Sequence, residues 1–163
     1  MIKKAKPSDS KTVTDLAIKS KMYWKYSESV MDVFREELII SSEYIKTSNV
    51  WIYEKKGEII GFYTLKFREK EFKFEDIVLK IGYWLDHMFI LPEYIGQGFG
   101  KLLFNHFSTI CQTINIEEVM ILADPNAKKF YEKMGCEYIK EYTSSIPNRT
   151  TPYLLFHPNI MAN

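Results

Sequence analysis

One stretch of the chain, "LDHMFILPEYIGQGFGKLLF" (residues 85–104), holds most of the residues whose types and spacing could do chemistry. Asp86 and His87 interrupt an otherwise apolar run. A polar side chain in a buried strand needs a partner or a purpose, so both are acid–base candidates. Neighbours along a strand face opposite ways, so at most one normally serves a given site. A histidine titrates near ~6.5 and an aspartate near ~3.9, which favours His87 at neutral pH. Burial would raise the carboxyl of Asp86 toward the same range, and a bulge could change which side chain faces the site.

After Pro92 come Gly96, Gly98 and Gly100, at the point where a helix must begin. Glycine weakens a helix by about 1 kcal/mol relative to alanine, so three of them there need a reason. The first turn of a helix presents unpaired N–H groups and the positive end of its dipole. Glycines let an anion approach that backbone and permit positive φ. The turn therefore reads as a phosphate cradle. Two familiar nucleotide motifs do not fit it. The spacing is G-x-G-x-G rather than G-x-G-x-x-G, and Leu102 stands where a P-loop needs a magnesium-binding hydroxyl.

These residues need elements to hold them. "IKKA" reads as a short strand, and Ser8 or Asp9 can cap a helix to about Lys21. Ser27 or Ser29 can cap a second, with Val30, Val33, Phe34 and Leu38 as its stripe. "NVWIYEKKGEIIGFYTLKF" is a hairpin about "EKKGE". Residues 77–91 read as one long strand, bent near Gly82. The glycine turn and a helix to about Asn115 follow, with Phe99, Leu103, Phe107, Ile110 and Ile114 at helical spacing. "EEVMILA" is a strand, Asp124 caps a short helix ending at Gly135, and "CEYIKEYT" and "TPYLLFH" are closing strands. The strand–helix–strand unit should have parallel strands, giving an α/β or α+β fold with a mixed sheet.

Composition narrows the class. The chain has 163 residues, suggesting one domain, with 46% hydrophobic and 15% aromatic residues. A net charge of +1 argues against a nucleic-acid or membrane surface. No apolar run approaches the ~20 residues of a membrane span. The start "MIKKAKPSDS" carries no apolar signal core, and two cysteines make no disulfide framework. A cytoplasmic location is the expectation.

The 85–104 stretch resembles the acetyl-CoA-binding segment of the GNAT superfamily of N-acetyltransferases. "NAKKFYEKMGCEYI" resembles the second signature of that superfamily. "SKMYWKY" and "SSIPNRTTPYL" are similar to segments of a bacterial subgroup without a firmly assigned substrate. The resemblance implies a single GNAT domain over 1–163. Its sheet would be mixed and mostly antiparallel, with a splayed parallel pair and about four flanking helices. It also implies acetyl-CoA as cosubstrate, no metal, and direct attack by a small-molecule or peptide amine in a ternary complex. A homodimer is common in such proteins. A GNAT fold that binds acyl-CoA as a sensor without turnover is the alternative.

By that resemblance Ile95, Gly96, Gln97, Gly98, Phe99 and Gly100 wrap the pyrophosphate, and Lys101 supplies charge. The superfamily usually has Gln or Arg where this chain has Ile95. Phe89 and Ile90 offer main-chain groups to the pantetheine arm and thioester, with Asn126 and Phe130 alongside. Tyr131 matches the tyrosine beside the sulfur: a phenol near ~10, neutral at pH 7, can hydrogen-bond or protonate a leaving thiolate whose thiol titrates near ~8.5. Asp86 falls where many relatives carry the base and is favoured over His87. Trp24 and Tyr26, with Tyr63 on the hairpin, are candidates for the amine pocket; Arg149 is a candidate for an acceptor carboxylate. Cys111 and Cys136 read as core residues, and His106 and His157 as surface or packing residues.

Overall fold

The structure is a computed structural model describing residues 1–74 and 77–159; the remainder of the expected 1–163 domain lies outside the described residues. Seven strands are hydrogen-bonded neighbours in one sheet. In spatial order they are β1 (Ile2–Lys4), β2 (Asn49–Lys55), β3 (Glu58–Arg68), β6 (Gly82–Ile90), β7 (Val119–Leu122), β9 (Thr150–Phe156) and β8 (Glu137–Thr143). A second sheet pairs β4 (Phe72–Phe74) with β5 (Ile77–Leu79). The described residues hold five α-helices: α1 (Ser10–Met22), α2 (Glu28–Glu37), α3 (Ser42–Thr47), α4 (Phe99–Thr113) and α5 (Lys128–Lys133). The fold is thus a mixed α/β one, with a mostly antiparallel sheet and a parallel β6–β7 pair. The chain divides into two compact units, Met1–Leu65 with His87–His106, and Lys66–Asp86 with the chain from Phe107 onward.

In the first unit, β2 and β3 form the expected hairpin, with Val50 opposite Thr64. Its turn places Lys56 and Gly57 at φ 50° and 82°, the paired positive φ that keeps the strands' twist. Ser27 caps α2 by accepting from Val30 N–H. Ser41 caps α3 by accepting from Tyr44 N–H at 3.0 Å. Val13, Leu16, Ala17, Met31 and Phe34 from the helices are buried, as are Ile52, Ile60 and Phe62 from the strands. Gly61 permits a close approach: a Cβ there would lie 2.6 Å from Ile90 Cδ1 and 3.1 Å from the carbonyl oxygen of Phe89.

In the second unit, the parallel ladder of β6 and β7 joins Tyr83 to Val119 and Trp84 to Met120, while β6 itself continues to Ile90. β7 and β9 are antiparallel, with Ile121 opposite Leu154. Ile77, Leu79, Trp84, Met120 and Tyr153 form one buried cluster. Residues 77–91 are not the single long strand that the sequence suggests. The chain breaks after Leu79, where Trp84 Nε1 donates to the Lys80 carbonyl at 2.8 Å. Gly82 takes φ 131°, and a Cβ there would meet Met120 Cε at 2.8 Å. β5 turns away to pair with β4. On α4 the expected stripe ends early. Phe107 and Cys111 are buried, but Ile114 is 48% exposed because the helix stops at Thr113 and Asn115 turns to φ 55°.

Candidate active site

The first unit contains the glycine turn. Gly96 and Gly98 take φ 81° and 87°, and nothing lies within 4 Å of where a Cβ would sit on either. α4 starts at Phe99, and the Leu102 N–H is the first there to close a helical bond, to the Gly98 carbonyl at 3.1 Å. Among the described residues, the N–H groups of residues 96–101 make no main-chain hydrogen bond. This is the open first turn the sequence implies, with its donors unpaired. Gln97 braces the loop, donating from Nε2 to the Glu93 carbonyl at 2.7 Å. Ile95 departs from expectation: its N–H donates to the Pro92 carbonyl at 3.2 Å, so its backbone donor is already engaged. Lys101 is exposed. Lys55, a residue the sequence did not single out, brings its Nζ to 4.8 Å from the Phe99 ring centroid and 5.1 Å from that of Tyr94. It is a second cation beside the turn.

His87 also belongs to this unit. Its Nδ1 lies 2.9 Å from Thr64 Oγ1, and Tyr44 O–H donates to the same oxygen at 3.1 Å. The rings of Tyr44, Phe62 and Phe89 surround the imidazole, with centroids 5.7, 6.5 and 6.3 Å away. Phe89 is half-buried and Ile90 buried. Lys21, buried on α1, sets its Nζ 4.6 Å from the Phe34 centroid and 5.9 Å from that of Phe89.

The expected amine-pocket residues have different surroundings. Trp24 is 39% exposed and edge-on to Tyr23, with centroids 4.9 Å apart. Tyr26 is half-buried against Phe34 at 5.1 Å. Tyr63 corrects the expectation. It is 0% exposed, and its hydroxyl lies 2.9 Å from His106 Nδ1. Strand alternation sends Tyr63 to the face of α4 and Thr64 to the other face. His106 accordingly has a partner that its sequence context did not reveal, and burial holds its imidazole below the ordinary histidine range.

The second unit contains Asp86, Tyr131 and their surroundings. Arg68 Nη2 lies 3.0 Å from both carboxylate oxygens of Asp86. The favoured base is therefore engaged by a guanidinium, at side-chain exposures of 17% and 9%. Tyr131 is buried, with its ring edge-on to Phe130 at 5.3 Å. Burial, then the neighbouring Cys136 and Asp124, push its phenol well above the usual tyrosine range. It is a hydrogen-bond donor that stays neutral. Burial also pushes the thiols of Cys111 and Cys136 up to about 12, against a nucleophilic role. Asp124 Oδ1 accepts from both the N–H and Nδ2 of Asn126 at 2.9 Å. Arg149, offered for an acceptor carboxylate, instead sets Nη2 3.6 Å from Asp124. Among the described residues, no group of three His, Cys, Asp or Glu could hold a metal ion, and no helix is long and apolar enough to cross a membrane.

The Acetyltransferase (GNAT) domain family model matches residues 22–148. No curated protein matches the chain. Among solved structures, one similar fold is the GCN5-related N-acetyltransferase of Rhodopseudomonas palustris, with TM-score 0.73, 16% identity, and 96% and 94% of the two chains covered. The PaiA N-acetyltransferase of Thermoplasma acidophilum, solved in complex with coenzyme A, aligns with TM-score 0.72 at 20% identity over 96% and 98%. A histone acetyltransferase HPA2 and related acetyltransferase from Corynebacterium glutamicum aligns with TM-score 0.69 at 16% identity over 98% and 97%.

Proposed function

The chain belongs to the GNAT acetyltransferase family, and from that premise we propose that it moves an acetyl group from acetyl-CoA to a primary amine by direct attack in a ternary complex. The observation that carries the acetyl-CoA reading is the glycine turn. Among the described residues, the N–H groups of residues 96–101 lack well-aligned main-chain partners, two glycines hold left-handed φ, and the space a side chain would fill is open. Gly96, Gln97, Gly98, Phe99, Gly100 and Lys101 would hold the pyrophosphate, with Lys55 adding charge. The T. acidophilum protein was solved with coenzyme A, and its fold is shared at 20% identity.

Acetyl-CoA supplies the thioester. In this reading the amine would attack its carbonyl carbon, the C–S bond would break, and Tyr131 would donate a hydrogen bond to the departing sulfur. Burial makes the phenol a weaker acid, so it would act as a neutral hydrogen-bond donor to the sulfur rather than give up its proton. The main chain at Phe89 and Ile90, with Asn126 and Phe130, would align the pantetheine arm. Trp24 and Tyr26 would border the amine. Asp86 and His87 divide the remaining chemistry, and the Arg68 ion pair on Asp86 favours His87 as the proton acceptor. The two units are read as one acetyltransferase domain acting in the cytoplasm on small-molecule or peptide amines.

The test is thermal stabilisation by acetyl-CoA, coenzyme A and ATP in parallel. A ligand at 100 times its Kd adds about 2.7 kcal/mol to stability. A shift with both CoA species and none with ATP supports the cradle; no shift with acetyl-CoA refutes the reading. Turnover of 2-phenylethylamine and of a tetrapeptide with a free α-amine then separates an enzyme from a fold that only binds acyl-CoA.

A further inference from the structure

A threonine hydroxyl at 0% exposure, in a strand otherwise filled by Ile60, Phe62, Tyr63 and Leu65, is a polar group in an apolar position. Valine would fill the same volume without the hydroxyl, so the oxygen at position 64 needs a chemical account. It has two neighbours. Tyr44 O–H donates to Oγ1 at 3.1 Å, and Oγ1 lies 2.9 Å from His87 Nδ1. A hydroxyl carries one proton and two lone pairs. Since Oγ1 accepts from Tyr44, its own proton is directed at Nδ1. With Nδ1 as the acceptor, neutral His87 would carry its proton on Nε2. The histidine is thus linked through Thr64 to Tyr44.

We propose that Tyr44, Thr64 and His87 form a three-residue proton relay that removes the proton from the attacking amine. The proposal rests on the acetyltransferase reading and assigns the base of that reaction. The acceptor nitrogen gives a proton to the Tyr44 oxygen as the Tyr44 proton passes to Thr64 Oγ1 and the Thr64 proton to His87 Nδ1. The two hydroxyls end neutral and the imidazole ends protonated on both nitrogens, so protons and charge balance. Local structure supports a fixed chain. Ser41 caps the short helix that carries Tyr44, and the Tyr44 ring stands edge-on to the imidazole at 5.7 Å. Phe62 and Phe89 pack at its other sides.

The first measurement is the imidazole 15N spectrum of the ligand-free wild-type protein. It should show neutral His87 with Nδ1 accepting and Nε2 protonated, and Thr64→Val should release that preference. With 2-phenylethylamine and the free-amine tetrapeptide as acceptors, Tyr44→Phe and Thr64→Val should each lower kcat about 100-fold, the low end of general-base effects. KM for acetyl-CoA should hold, and Thr64→Ser should restore kcat. A neutral His87 protonated on Nδ1 overturns the relay with no variant needed. So does a Tyr44→Phe protein with wild-type kcat and intact acetyl-CoA stabilisation. Failure of wild-type protein to bind acetyl-CoA is a different result: it removes the parent reading and the relay with it.

Discussion

Tyr131→Phe removes one buried oxygen and leaves the ring that packs on Phe130. If that oxygen hydrogen-bonds the leaving thiolate, kcat should fall about 100-fold with KM for acetyl-CoA little changed. Steady-state kinetics at fixed amine would show this; a variant with full kcat would return Tyr131 to a packing role. Arg68 and Asp86 give a stability prediction instead. Removing one partner of a buried pair strands the other charge, at roughly 3–5 kcal/mol. Urea unfolding of Arg68→Met should show a loss of that order, and Asp86→Asn in the same chain should recover part of it. Asp86, His87 and Tyr131 were visible in the sequence because their chemistry stands out from apolar or motif surroundings. Their partners were not. Arg68 is 18 residues from Asp86, and Thr64 is 23 from His87, so only the folded sheet joins them. The same separation hid His106 behind Tyr63, 43 residues away.

At the scale of elements, periodicity and turn chemistry carried the hairpin, α1, α2, the strand–helix–strand order and the glycine turn. They failed where an element was short or broken. α3 has six residues and buries only Ile45, too little for a periodic signal, yet it delivers Tyr44. β5 and β6 share one apolar composition, and the break between them depends on a Trp84 bond and Met120 contact formed after folding. Two glycines allow element-scale tests. Gly98→Ala meets no atom within 4 Å but must hold φ 87°, so about 1 kcal/mol of backbone strain is expected. Acetyl-CoA affinity should weaken with it, measured by calorimetry. Gly61→Ala faces Ile90 Cδ1 at 2.6 Å and a Phe89 backbone oxygen at 3.1 Å. Overpacking of that kind costs about 1–3 kcal/mol and should lower the thermal midpoint.

For the whole molecule, sequence identities of 16–20% accompany TM-scores of 0.69–0.73. A shared fold is therefore reached with few identical residues. Each unit of this chain has its own buried set, one around Phe62 and Met31 and one around Trp84 and Met120. Stability should also depend on pH through His106. Its folded pKa lies below the unfolded value because burial disfavours the charged ring. The unfolded chain then binds the proton first, so stability is full above about 6.5 and falls as pH drops through the folded value. His106→Gln should flatten that part of the urea-midpoint profile between pH 7.5 and 5.5.

Both cysteines lie in the second unit, buried, with thiols pushed up to about 12. At neutral pH almost none of either is thiolate, and a disulfide reagent in solution meets neither. Chromophore release from such a reagent should be slow in buffer and reach two equivalents in urea. The first unit is silent to it. Thiol labelling therefore clocks the opening of the second unit alone, in unmodified protein and with no ligand or dye bound.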